Sequence, residues 1–153
     1  MKFNLLHRGE WIAMGGGLLL LIGLFLPSYV TNDSNPNAQI DGVRGGVSYF
    51  EVHTITGWLL LLAGIAPFIL AWIIVRENQL SWPRGQMTMV VAVAAFGFIM
   101  YFAILDRPGS PSGDIGLGIG FFLMIVGVLM MLGGSIYRSE GEDTAARKPP
   151  GVI

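Results

Sequence analysis

The chain has 153 residues, 53% of them hydrophobic and 12% charged, with a mean hydropathy of +0.63 and a formal net charge of −1. That balance belongs to the membrane class and gives no electrostatic reason to expect nucleic acid or an acidic surface as a partner. Cysteine is absent, which excludes thiol–disulfide relays, iron–sulfur clusters and thiolate metal sites.

Four apolar runs occupy more than half of the sequence: Trp11–Val30, Ile55–Val75, Met87–Leu105 and Ile115–Tyr137. None carries a charge in its interior, and each as a helix is about 30 Å long, the thickness of a hydrocarbon core. Met1–Glu10 resembles the basic start of a signal peptide, but the run after it is too long for a signal-peptide core and reads as a retained span.

The first connection, Thr31–Thr54, opens on the turn-rich stretch Thr31–Asn37. It continues as Val43–His53, where β-branched and aromatic residues surround Gly45-Gly46, the composition of a short hairpin or extended segment. Its Val, Tyr and Phe either pack on the ends of the bundle or face a partner. In span two, Pro67 removes a backbone hydrogen bond and is expected to bend the helix. Pro83 ends span two or begins span three. Asp106–Asp114 is a tight turn in which Asp114 or Ser112 is placed to cap span four. The tail, residues 139–153, is polar, of mixed charge, and is expected to be flexible.

Lys2, Arg8, Arg76, Arg84, Arg138, Arg147 and Lys148 fall on one side of these spans, and Arg44 and Arg107 on the other. The positive-inside rule then places both termini and the Arg76–Gln86 loop in the cytoplasm, in a plasma (inner) membrane. Trp11, Trp72, Trp82 and Tyr137 are expected as anchors at the inner interface, Tyr29 and Trp58 at the outer one.

Glycine supplies the packing signal. Gly9, Gly16 and Gly23 recur at seven-residue spacing in span one, Gly57 and Gly64 with Ala71 in span two, and Gly113, Gly120, Gly127 and Gly134 in span four. Such stripes let backbones approach closely in lipid, and a seven-residue period favours shallow left-handed crossings. Gly15, Gly17, Gly116 and Gly118 widen the stripes and offer a second contact. The expected fold is therefore all-α: a left-handed four-transmembrane-helix bundle over residues 1–138 with a strand-prone outer loop.

Chemistry is sparse. Glu10 reads as an interfacial residue at a helix start, too shallow for a proton-coupled carboxylate. His7 and His53 fall about a membrane thickness apart and cannot share a metal within one chain. Gly15-Gly16-Gly17 lies inside a span and is no phosphate loop. No ring of acids or bases lines a span.

Arg8-Gly9-Glu10-Trp11, the Gly15–Leu21 run, Phe25-Leu26-Pro27, Asp106–Gly109 and Gly133-Gly134 with Arg138 together resemble a group of uncharacterised small bacterial four-span integral membrane proteins. That resemblance implies the four spans and supplies no site residues. A larger strand-prone first loop and a short second one are also similar to claudin-type proteins, whose cysteine pair and longer first loop this chain lacks.

The expected function is non-catalytic: an accessory or scaffold subunit of a membrane complex, with no enzyme activity and no cofactor or metal. Its expected partners are membrane lipids and other integral membrane subunits, or a second copy of itself. The expected contact residues are Arg44, Tyr49 and Phe50 in the loop, with Gly120 and Gly127 on span four. The alternative is a small oligomeric transporter or channel.

Overall fold

The computed structural model describes residues 6–76 and 84–144, by backbone alone at 84 and 139–144. In chain order they form α1 (Arg8–Phe25), β1 (Pro27–Thr31), β2 (Gly46–Ser48), the single turn α2 (Tyr49–Val52), α3 (Thr54–Val75), α4 (Arg84–Met100), β3 (Ile115–Leu117) and α5 (Ile119–Thr144). A π-helical turn, Tyr101–Leu105, extends α4. Four segments, Arg8–Phe25, Thr54–Val75, Gly85–Leu105 and Ile119–Arg138, are long and apolar enough to cross a membrane.

Two apolar runs divide where the sequence suggested continuous helix. Leu26 precedes Pro27, and a residue before proline is driven out of the helical region; its φ of −86° and ψ of 158° are extended. Helix α1 therefore stops at Phe25, and the rest of the run becomes β1. At the start of the fourth run, Ile115–Leu117 is β3, so Ser112 and Asp114 lie in a 3₁₀ turn before that strand instead of capping α5. At its other end α5 runs on to Thr144. The rest of the tail, 145–153, and the 77–83 connection with Trp82 and Pro83 lie outside the described residues.

The glycine stripes pack α1 antiparallel against α5. Gly9 faces Gly134, Gly16 faces Gly127 and Gly23 faces Gly120. A β-carbon built at Gly23 would stand 2.7 Å from the Gly120 carbonyl oxygen, and one at Gly127 would stand 2.6 Å from that of Gly16. Contacts this close are open only to glycine, and in lipid they supply the dispersion energy that apolar burial cannot. A second face of α1 meets α3, where a β-carbon at Gly17 would come 2.5 Å from the Gly64 carbonyl oxygen. Gly57 and Gly113 depart from the stripes: Gly57 lies under the Phe50 ring, and Gly113 stands in open space off the helix. On α4, Ala92, Ala95, Ile99 and, in the π turn, Ala103 are buried. This helix packs chiefly on α5 and much less on α3.

At the end of the bundle away from the termini, the strands form a small sheet in the order β2-β1-β3, both pairings antiparallel. Of the two forms expected for Val43–His53, the extended segment is the one present: Gly46–Ser48 is β2, with Val47 paired to Tyr29, and α2 follows it. The tight hairpin lies one step earlier. Ile40 and Val43 exchange backbone hydrogen bonds around Asp41 and Gly42, whose φ values are 48° and 80°. Both central residues at positive φ suit an Asp-Gly pair. Ala38, Ile40, Tyr29, Tyr49 and Ile115 are buried, so this cap has a core of its own, continuous with that of the bundle.

Arg107 staples the two layers. Its Nε donates to the Ala103 carbonyl at 2.9 Å, and its Nη1 to the Ile115 carbonyl at 3.0 Å. Replacing Arg107 by alanine removes two charge-assisted hydrogen bonds and is expected to cost about 1.5–3 kcal/mol. Hydrogen exchange should show the loss as faster exchange confined to β3 and the π turn.

Candidate functional site

Three features stand apart from ordinary bundle packing: a buried ion pair at the terminal end, an aromatic–histidine cluster under the cap, and an open groove between α3 and α4.

At the terminal end, α1 begins with a capping box. The His7 amide donates to Glu10 Oε2 at 2.5 Å, and His7 Nδ1 accepts from the Gly9 amide at 3.4 Å. Glu10 lies in the first turn of α1, and its side chain is turned into the protein, only 6% exposed. It forms an ion pair of 2.9 Å with Arg138 of α5, itself 12% exposed. The glycine register explains the encounter, since Arg138 lies one helical turn beyond Gly134, which faces Gly9. Buried Thr88 and Ser135 complete the pocket, Ser135 Oγ donating to the Met131 carbonyl at 2.8 Å.

Under the cap, the His53 ring lies 4.0 Å from that of Phe102, 5.0 Å from Tyr49 and 5.8 Å from Tyr29. Tyr29 is 1% exposed in this cluster and not an interfacial anchor. Burial raises the Tyr29 hydroxyl well above its ordinary value and pushes Tyr49 up to about 12, despite the Tyr49–Thr56 hydrogen bond. Burial also lowers His53 below its ordinary 6.5, against the attraction of Asp106 and Asp41. On α2, Glu51 is held low by hydrogen bonds from the Ser48 amide and hydroxyl.

The groove follows from the weak α3–α4 contact. Two open apolar hollows of about 270 and 430 Å³ share Ala94 and Phe98. The first lies along Ala63 and Ala66; the second ends at Thr56 and Tyr101 near the cap. Ala94, Gly97 and Phe98 on α4 and Tyr101 at the start of the π turn recur at three- and four-residue steps, which puts them on one face. Ala92, Ala94, Ala95 and Gly97 show no clean period along the sequence because two faces are interleaved, Ala92 and Ala95 buried and Ala94 and Gly97 exposed.

The expected contact residues divide. Arg44 is exposed on the rim of the cap. Phe50 is half-buried between Phe25 and Trp58, with ring centroids 5.3 and 5.4 Å away. Tyr49 is 1% exposed and belongs to the core. Gly120 and Gly127 face α1 within the bundle and leave no room there for a partner. The groove was missed because a helix stripe read alone does not say which neighbour is absent.

Among the described residues, no group of three or more His, Cys, Asp or Glu side chains is placed to hold a metal ion. The chain matches no family model, no curated protein and no solved structure.

Proposed function

We propose that the protein is a non-catalytic accessory or scaffold subunit of a membrane complex, and that the α3–α4 groove seats a helix of an integral membrane partner. The observation that carries this reading is the contrast between the two halves of the bundle. Helices α1 and α5 are closed on each other at three glycine pairs, whereas between α3 and α4 the small residues Ala94 and Gly97 stay exposed and Ala66 half-exposed, above a floor of buried Ala63. In lipid, a surface of small residues gains dispersion energy when another helix's side chains enter it.

In this reading the bundle is a left-handed supercoil, as the seven-residue glycine period favours. The excess of basic residues on the side of the termini supports cytoplasmic termini and a cap outside a plasma (inner) membrane.

Ala94→Trp tests the reading by filling the groove. Purified from native membranes in mild detergent, the wild-type chain is expected to carry a stoichiometric membrane partner. The variant is expected to lose it while keeping the wild-type unfolding midpoint. A wild-type chain that purifies alone, or a variant that keeps its partner, would count against a seat in the groove.

A further inference from the structure

We propose that His53 is an acid-sensitive latch: neutral, it holds the cap on the ends of α3 and α4, and when it is protonated the cap opens.

The latch rests on where one ring sits. His53 is the single residue between α2 and α3, and its backbone is fixed from both sides. Its amide donates to the Tyr49 carbonyl at 2.9 Å, and its carbonyl accepts from the Gly57 amide at 2.6 Å and Thr56 Oγ1 at 3.2 Å. Its side chain touches three other elements at once: Tyr49 on α2, Tyr29 on β1 and Phe102 in the π turn. Nε2 is buried there and has no hydrogen-bond partner. A neutral ring tolerates this when Nε2 is the unprotonated nitrogen, since a weakly solvated acceptor costs far less than a buried cation.

Protonation puts an N–H at Nε2 with no acceptor in reach, and a charge among aromatic rings. The charged groups acting on the ring are Asp106 after the π turn and Asp41 in the Asp-Gly turn, and the titratable side chains packed against it are the rings of Tyr29 and Tyr49. The two carboxylates attract the cation. The hydroxyls, both raised by burial, stay protonated and bring no negative charge. Arg107, whose charge acts on Tyr29 in the same cluster, adds none either. Burial outweighs the carboxylates, so closed and open caps differ in proton affinity.

The direction follows from linkage. With the cap open, His53 titrates near its ordinary 6.5; with the cap closed it titrates lower. Between those two values the open form binds more protons, so stability of the closed cap falls as pH drops below 6.5 and levels off below the closed-state value. The opening equilibrium shifts about tenfold for each unit between the two values. The latch belongs to this chain alone, and it stands or falls independently of any partner.

The chain has two histidines, which makes the test direct. Histidine-selective ¹³C/¹⁵N labelling of the full chain in lipid nanodiscs, with His7→Gln for assignment, gives the titration of His53. Hydrogen exchange corrected for the intrinsic pH dependence gives cap opening. The expected result is a His53 midpoint below 6.5, with protection of residues 46–57 and 101–107 lost as it titrates. His53→Gln and His53→Phe, neither of which titrates, are expected to give pH-independent protection. A midpoint at or above 6.5, or the same acid-driven loss in either variant, would overturn the latch.

Discussion

Gly127→Leu is expected to abolish the folded bundle, because the position it changes has no room for any side chain. A β-carbon there would stand 2.6 Å from both the Gly16 carbonyl oxygen and the Leu20 amide nitrogen. Those atoms belong to helix backbone, so relief requires α1 and α5 to separate along their length. Alanine at Gly127 or Gly16 adds one methyl and is expected to cost about 1–3 kcal/mol, the usual range for overpacking. Leucine goes past what separation can relieve while the neighbouring glycine pairs stay closed. Gly133→Ala supplies the contrast, since Gly133 lies on the same helix with nothing within 4 Å of a built β-carbon. There the same methyl only removes glycine's backbone freedom, and is expected to stabilise by about 0.5–1 kcal/mol. Reversible unfolding in mixed micelles measures all of these. Equal costs at Gly127 and Gly133 would contradict the close pairing of α1 with α5.

Glu10→Ala is the second large effect, expected at about 3–5 kcal/mol, the cost of breaking a buried ion pair from one side. The variant removes the buried carboxylate that pairs with the Arg138 guanidinium and the Glu10 half of the α1 capping box. Replacing both members, Glu10→Gln with Arg138→Met, leaves no buried charge and is expected to cost clearly less than Glu10→Ala alone. This non-additivity separates a coupled pair from two independent residues. The pair also does something the glycines cannot. A seven-residue slide of α5 would set Gly16 against Gly120 and Gly9 against Gly127, keeping two of the three glycine contacts. Only the native register brings Glu10 to Arg138, so the ion pair selects it, a role buried polar groups play in coiled coils.

The long-range pairing was legible because it is periodic. Gly9, Gly16 and Gly23 matched to Gly134, Gly127 and Gly120 give an antiparallel contact once both runs are helical. The burial of Glu10 was not legible, because its depth depends on Arg138 arriving from 128 residues away in the sequence. The cap was half legible. Val43–His53 showed its strand composition, but β1 was concealed in the end of an apolar run, where strand and helix residues look alike without a period. Pro27 marked the boundary, and Asp41-Gly42 marked the hairpin; both signals were local and present. The groove had no such signal. Ala94 and Gly97 are small on a helix rich in small residues, and the space beside them reflects how little α3 and α4 touch.

Partner seating in the groove is the central functional claim, and photocrosslinking in native membranes tests it most directly. A photoreactive residue is placed in the groove at Ala94 or Leu62, and for comparison on exposed faces elsewhere at Ile22 or Leu129. The expected result is one protein adduct of a single mass from both groove positions, and only lipid adducts from Ile22 and Leu129. Lipid adducts alone from all four positions would contradict the claim, and the groove would then be a surface filled by the bilayer.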